Sequence, residues 1–174
     1  MPGDLLIVTG PPGAGKSTVA EHLVAVRSPS VLVAGDAFFA FLREGRIDPW
    51  LVESDDQNRI VAGAAAAATG GFARHTWTVY DGVLGAWHLP TFMAATGLPH
   101  AHYVVLLPSV ERCLRRVATR VGHGFDDPAA TRHMHDQFAR ADVDARHVLH
   151  DPPDDVDAVT ALVLQRFDAG TLRL

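Results

Sequence analysis

Residues 8–20 read VTGPPGAGKSTVA and join a short apolar run to a segment with helical character. Within them, Gly10 to Ser17 match the pattern G-x-x-x-x-G-K-[ST], in which a glycine-rich turn between a strand and a helix binds phosphate. The glycines allow positive φ and a close approach of the backbone to an anion, and the helix N-terminus points amides toward it. The stretch therefore predicts a strand, a phosphate-binding loop and a helix in succession.

The predicted loop gives its residues separate tasks. Lys16 brings a positive charge to the β- and γ-phosphates, and the Ser17 hydroxyl is a magnesium ligand. Pro11 and Pro12 have no N–H and stiffen the rim instead of donating to phosphate. Nucleotide contacts are expected from Gly10, Gly13, Ala14, Gly15, Lys16, Ser17 and Thr18. The alternative is a glycine-rich turn that precedes Lys-Ser by chance.

Composition limits the class of protein. The chain has 174 residues, 48% of them hydrophobic and 20% charged, which suits a single domain over 1–174. A net charge of −5 argues against nucleic acid as a partner. No apolar run is long enough to span a membrane, and the N-terminal residues lack the charged region of an export signal. With Cys113 as the single cysteine, no internal disulfide can form, and we expect a cytoplasmic protein.

Short β-rich runs alternate with helical patterns along the chain. Near-continuous apolar runs predict parallel strands buried on both faces at 5–9, 30–34, 76–80, 102–107 and 146–150. Helical patterns lie at 16–27, 37–44, 56–73, 86–96, 109–121, 128–141 and 155–168. The alanine-rich stretch 62–71 is expected to be a packed helix ending at Gly70 and Gly71. This alternation is typical of an α/β fold with right-handed crossovers.

Two aspartates follow predicted strands, Asp36 in AGDAFF and Asp81 in VYDGVLG. Ligands of open parallel sheets bind outside the carboxyl ends of the strands, so we expect both carboxylates to face the phosphate loop. Asp81 is assigned to the magnesium shell and Asp36 to the base for an acceptor hydroxyl, while the reverse assignment stays open. The structural alternatives are a helix N-cap for Asp36 and a turn former for Asp81.

A helix, a loop and a second helix are predicted after the fourth strand. Arg116 and Arg120 are four residues apart and share a helix face, after which VGHGFDDP breaks the helix and Asp127 or Pro128 starts another. We predict a lid at 116–138, in which both arginines stabilise the charge of phosphoryl transfer and Arg120 also contacts the nucleotide. The alternative is a solvated arginine face paired with nearby acids.

Histidines and tryptophans give weaker signals. His123, His133 and His135 lack the spacing of a known metal site, so lid or surface positions are expected for them. Trp50 and Trp87 fit the walls of an acceptor pocket and the core of the fold equally well.

These motifs resemble the small-molecule kinases of the P-loop superfamily, a group that includes gluconate kinase, shikimate kinase and chloramphenicol phosphotransferase. The phosphate loop is shared by the whole group, GDA at 35–37 is similar to gluconate kinases, and 116–138 is similar to their lid. The third strand departs from the gluconate kinase pattern, because it ends in the acid Asp81 of VYDGVLG. In this it looks closer to chloramphenicol phosphotransferase.

The resemblance implies a three-layer α/β/α fold with a five-stranded parallel sheet in the order 2-3-1-4-5 and a helical lid. It also implies ATP with Mg²⁺ and a hydroxyl acceptor. Residue by residue, the resemblance carries over Lys16, Ser17, Asp36, Arg116 and Arg120.

The expected activity is therefore an ATP-dependent phosphotransferase acting on a hydroxyl group of a small metabolite or antibiotic, as a monomer or homodimer. The competing hypothesis is a nucleotide-binding switch or ATPase module without a small-molecule acceptor. A GTPase would carry an N-K-x-D motif after a later strand, and the sequence has none.

Overall fold

The computed structural model describes residues 3–119 and 125–174. At its centre lies a five-stranded parallel sheet in the order β2-β3-β1-β4-β5. The strands are β1 (Leu5–Thr9), β2 (Ser30–Ala34), β3 (Trp77–Asp81), β4 (His102–Leu107) and β5 (Val148–His150). The predicted fold class and strand order are confirmed.

Helices cover both faces of this sheet and complete the three layers. In the described ranges they are α1 (Lys16–Ala25), α2 (Asp55–Ala73), α3 (Leu89–Thr96), α4 (Val110–Thr119), α5 (Pro128–Arg140) and α6 (Val156–Asp168). None of these helices combines the length and the apolar character needed to cross a membrane.

The position of β1 at the centre of the sheet explains why its sequence is continuously apolar. Leu6 and Val8 are buried in the cluster formed with α1 and α6, while Leu5 and Ile7 are buried in the cluster formed with α2 and α3. Successive side chains of a strand point to opposite faces, so a strand covered on both faces needs an apolar residue at every position. The same strand delivers the chain to the phosphate loop.

The end of α2 agrees with the helical pattern at 56–73 but not with the stop expected at Gly70 and Gly71. The helix does not stop at Gly70 and Gly71 but continues to Ala73. Gly70 serves packing here, because a Cβ at this position would overlap the carbonyl oxygen of Thr96 in α3. A small residue that lets two backbones approach was therefore misread as a helix terminator.

Two other predicted elements are shorter or tighter than expected. The helix predicted at 37–44 is a 3-10 helix over Gly35–Phe41. The fifth strand begins only at Val148, because Ala145–His147 forms a 3-10 turn before it.

The start of α5 follows the prediction. Asp127 is the N-cap, and its carboxylate accepts hydrogen bonds from the amides of Ala129 and Ala130 at 2.8 and 3.1 Å. Arg120 and His123 lie outside the described residues. The lid at 116–138 and the single domain over 1–174 therefore stay predictions.

The α2–α3 contact gives a first prediction. Gly70→Ala should lower the free energy of unfolding by about 1–3 kcal/mol, because the new methyl group overlaps the backbone of α3. Gly71→Ala is the matched control, since a Cβ at Gly71 meets nothing within 4 Å. It should raise stability by up to about 1 kcal/mol through helix propensity. Urea unfolding followed by circular dichroism measures both variants, and equal effects would contradict the packing assigned to Gly70.

Candidate nucleotide and acceptor site

The phosphate loop leaves β1 after Thr9 and becomes α1 at Lys16. Gly13 and Gly15 have φ values of +78° and +95°, a left-handed backbone that glycine adopts without steric cost. Consecutive turns of this kind direct backbone N–H groups toward one point, and the N-terminus of α1 adds its partial positive charge there. The local backbone is therefore suited to an anion.

Lys16 is the only lysine of the chain. It is 8% exposed, and its Nζ donates a hydrogen bond to the carbonyl oxygen of Pro11 at 3.1 Å. The ammonium group thus lies folded over the loop. An ammonium group at this position can also donate to a phosphate in the loop.

The backbone of the phosphate loop packs closely against the backbone of β4 and α4. A Cβ at Gly10 would overlap the carbonyl oxygen of Leu106, and a Cβ at Gly13 would overlap that of Cys113. Burial raises the pKa of the Cys113 thiol, so this cysteine is a neutral packing group at neutral pH. Close backbone contacts therefore fix the shape of the loop from behind.

A cavity of about 290 Å³ opens beside the loop. One wall is formed by Gly13–Gly15 and by Thr18 and Val19 of α1, and the opposite wall by Arg116 and residues 152–154. Its volume is close to the lower end, about 300 Å³, of typical small-molecule pockets. A cavity next to a phosphate loop suits the nucleoside end of a nucleotide.

Arg116 connects the two walls of this cavity. Its Nη1 donates to the carbonyl oxygen of Ala14 at 3.3 Å, and its Nη2 donates to Oδ1 of Asp154 at 3.2 Å. Arg112, one turn earlier in α4, donates to the carbonyl oxygen of Pro152, and its Nε lies 3.6 Å from the same Oδ1. Arg112 and Arg116 are thus paired with one acid, and Arg116 lines the cavity. A part in phosphoryl transfer stays a prediction for Arg116.

The loop after β5 is held in place by Asp151. This residue has a φ of 41°, and its amide donates to the carbonyl oxygen of Leu107 at 3.0 Å. Its Oδ1 accepts a hydrogen bond from the amide of Ser109 at 2.7 Å, directly before α4. Aspartate tolerates the left-handed region better than most residues. Asp151 therefore fixes the cavity wall to the start of α4.

Asp81 ends β3 and Asp36 lies two residues after the neighbouring β2, whose last residue, Ala34, is in register with Asp81. Asp36 is exposed in the 3-10 helix, whereas Asp81 is 8% exposed. Burial raises the pKa of the Tyr80 hydroxyl, and the charges of Asp36 and Asp81 raise it further. The two acids therefore lie near one phenol but differ in their access to solvent.

The turn that follows Asp81 is pinned to the sheet. The Leu84 amide donates to the hydroxyl oxygen of Thr9 at 2.8 Å, and the Tyr103 hydroxyl donates to the Leu84 carbonyl oxygen at 2.9 Å. Both partners are buried residues of the central strands β1 and β4. The backbone around Asp81 is thus fixed from two sides.

The segment between β2 and α2 is ordered by side-chain amides. Gln57 accepts from the Ile47 amide at 2.8 Å and donates to the Ile47 carbonyl oxygen at 2.7 Å. Asn58 donates to the carbonyl oxygen of Pro49 at 2.7 Å. These bonds hold residues 47–49, which belong to no helix or strand, against the first turn of α2.

Aromatic and apolar side chains on this segment face solvent. Phe41 is 76% and Val52 is 84% exposed. Trp50 is partly exposed and stacks edge-on against Phe125 at 5.2 Å between ring centroids. Trp87 is also partly exposed, so neither predicted tryptophan belongs to the buried core.

Two of the predicted lid histidines lie on α5. Nε2 of His135 lies 2.8 Å from the carbonyl oxygen of Pro108, and Nε2 of His133 lies 3.1 Å from Nε2 of Gln137. Within residues 3–119 and 125–174, no group of three His, Cys, Asp or Glu side chains is arranged to hold a metal ion. Local hydrogen bonding accounts for these two histidines.

Sequence reasoning missed the cavity wall at 152–154, as well as Asp151 and Tyr80. One signal was present, because DPPDDV follows the fifth strand directly. The rule that ligands bind at the carboxyl ends of parallel strands applies to this strand as it does to the second and third.

Comparison with protein families gives a match to a model described as an AAA domain, over residues 5–143. The matched range begins with β1 and extends past α5, so it includes the phosphate loop, both aspartates and helices α4 and α5. A search of curated proteins gives no significant match.

Solved structures share this fold over nearly the whole chain. A gluconokinase from Sinorhizobium meliloti 1021 has a TM-score of 0.69 and 19% identity, covering 97% of this chain and 93% of that chain. A shikimate kinase from Acinetobacter baumannii in complex with shikimate has a TM-score of 0.65 and 18% identity, covering 97% and 95%. The APS kinase of Mycobacterium tuberculosis in complex with AMPPNP and APS has a TM-score of 0.67 and 17% identity, covering 96% and 98%. The resemblance to small-molecule kinases is confirmed for the fold.

The pinned turn gives a second prediction. Thr9→Val keeps the side-chain shape but removes the acceptor of the Leu84 amide, which should cost about 1–3 kcal/mol of stability. Thr78→Val is the matched control, because the Thr78 hydroxyl donates only to the carbonyl oxygen of Thr76. Hydrogen exchange should show faster exchange of the Leu84 amide in Thr9→Val alone. Unchanged protection of that amide would show that the turn is held by other contacts.

Proposed function

Because the chain belongs to the AAA domain family and has the fold of small-molecule kinases, we propose that it transfers the γ-phosphoryl group of ATP to a hydroxyl group of a small molecule. The observation that carries this proposal is the junction of the phosphate loop with the 290 Å³ cavity between α1 and residues 152–154. A nucleotide with its base in the cavity and its phosphates over Lys16 has its γ-phosphate directed toward the strand ends that carry Asp36 and Asp81.

Each residue then has a task in the transfer. Asp36 accepts the proton of the acceptor hydroxyl, whose oxygen forms a bond to the γ-phosphorus as the bond to the β–γ bridging oxygen breaks. Lys16 and the amides of Gly13–Thr18 stabilise the negative charge that develops on the phosphate oxygens. Arg116 contacts the nucleotide from the cavity side, and Arg120 is proposed to act from the lid.

Ser17 and Asp81 fit a magnesium ion. Asp81 lies in register with Val8, two residues before the loop begins, and Ser17 is the second residue of α1. Hydroxyl and carboxylate oxygens are the donors that this cation prefers, and a buried carboxylate gains from a positive partner. When bound, the ion neutralises phosphate charge. Asp81 would orient it, and the pinned turn after β3 would hold Asp81 in position.

The acceptor is proposed to bind beside Asp36, on the segment between β2 and α2. Hydrogen bonds from Gln57 and Asn58 order part of this segment, on which Phe41, Trp50 and Val52 are exposed apolar groups. A small metabolite or an antibiotic with an apolar part would cover these groups. In a nucleotide switch without an acceptor, no bound small molecule would cover these exposed apolar groups.

The test is whether ADP forms only when a hydroxyl compound is added. ADP release is measured with ATP and Mg²⁺ alone and with panels of hydroxyl compounds, including gluconate, shikimate and apolar alcohols. Release stimulated at least about 10-fold by one compound, together with its phosphorylated product, supports the transferase. Steady release that no compound changes supports the ATPase alternative instead.

The phosphate loop gives a third prediction. Lys16→Met keeps the length of the side chain but removes its charge, and it should raise the Kd for ATP at least about 10-fold because a charge-assisted contact is lost. Arg173→Met is the control, since Arg173 bridges to His102 at the opposite end of β4. Calorimetric titration with unfolding curves separates binding from stability. An unchanged Kd in Lys16→Met would remove Lys16 from the site.

The two aspartates give a fourth prediction. Asp36→Asn should lower kcat at least about 100-fold, because the base is lost, while ATP and Mg²⁺ still bind. Asp81→Asn should instead raise the magnesium concentration needed for half-maximal rate. Asp48→Asn, in the same exposed segment as the acceptor side chains, is the control and should change neither. If Asp36→Asn shifts the magnesium dependence and Asp81→Asn leaves it unchanged, the two roles are reversed.

A further inference from the structure

Asp154 is the only carboxylate among the described residues that line the nucleotide cavity. Its side chain is 79% exposed, and both guanidinium groups of α4 approach the same oxygen, Oδ1, at 3.2 Å from Arg116 and 3.6 Å from Arg112. Surface ion pairs of this kind contribute little to stability. The arrangement nevertheless fixes the position of the carboxylate at the cavity wall.

The rest of the cavity offers few groups that could read a nucleobase. Leu106, Val156 and Val159 provide an apolar wall, and Arg116 is a donor with no acceptor atom. The second carboxylate oxygen, Oδ2, makes no hydrogen bond within the described part of the chain, since both arginines approach Oδ1. An ionised carboxylate is an acceptor that selects for N–H donors.

We propose that Asp154 sets the base preference of the nucleotide site by accepting a hydrogen bond from an N–H donor of the base. Adenine offers its 6-amino group, and guanine offers N1–H and its 2-amino group. A purine without these donors makes no hydrogen bond to Oδ2, and the binding energy of that bond is lost. This inference rests on the proposed nucleotide site.

The competing role for Asp154 is structural: its ion pairs would only join α4 to the loop after β5. In that role Asp154 would position Arg112 and Arg116 in the same way for every nucleotide. Losing it would therefore weaken all nucleotides by the same factor, whereas losing a base contact changes the ratio between nucleotides.

The experiment measures this ratio by calorimetric titration of the full chain with Mg²⁺ and ATP, GTP or purine riboside triphosphate, which has no N–H donor on its base. The wild type should bind ATP about 10-fold more tightly than purine riboside triphosphate, as expected for one hydrogen bond to a charged acceptor. In Asp154→Ala the two Kd values should agree within about twofold. Asp154→Asn keeps an acceptor oxygen and should give an intermediate ratio. The GTP titration tells whether adenine or guanine supplies the donor.

Asp157→Ala is the matched control. Asp157 is another exposed acid at the start of α6, but it pairs with His22 and does not line the cavity. In Asp157→Ala the ratio of the Kd values for purine riboside triphosphate and ATP should equal that of the wild type. The base contact is overturned if the ratio of the two Kd values stays the same in Asp154→Ala and Asp154→Asn. It is also overturned if the wild type binds ATP and purine riboside triphosphate equally. Neither result argues against the nucleotide site itself. A wild type that binds none of the three overturns the nucleotide site as well.

Discussion

The contact of the phosphate loop with the backbone of β4 and α4 is the constraint on which the candidate site depends. Gly10 lies against Leu106 and Gly13 against Cys113, with no room for a side chain between them. The loop therefore cannot change shape without moving β4 or α4, and both are tied to neighbouring elements. Because α4 is fixed in this way, Arg116 reaches Ala14 and the cavity wall from a defined position.

Two halves of the site are built by different means. On the proposed nucleotide side, charged side chains donate to backbone carbonyls, as Arg112 does to Pro152 and Arg116 to Ala14. On the proposed acceptor side, Gln57 orders a loop whose apolar groups stay exposed. Fixed polar contacts suit a ligand of constant chemistry, and exposed apolar surface suits one that varies between related proteins.

Local sequence signals predicted most of the fold. The five apolar runs, the Asp127 cap and the phosphate loop depend on residues close to one another in the chain, and resemblance supplied the strand order. Gly70 shows the limit, because its need for a small residue comes from Thr96 in another helix. The wall at 152–154 and the pinning of Leu84 by Thr9 likewise depend on residues far apart in the sequence. The tasks assigned to Asp36 and Asp81 were open in the sequence, and their different exposure now gives each a distinct chemical setting.

The side-chain amine of Lys16 has a consequence for chemical modification. Arginine supplies every other strongly basic side chain of the chain. Acylation, glycation or crosslinking aimed at lysine side chains thus has a single target, and that target is mostly shielded by the loop it serves. With the proposed function, modifying this one amine would inactivate the molecule, and a bound nucleotide would protect against the modification.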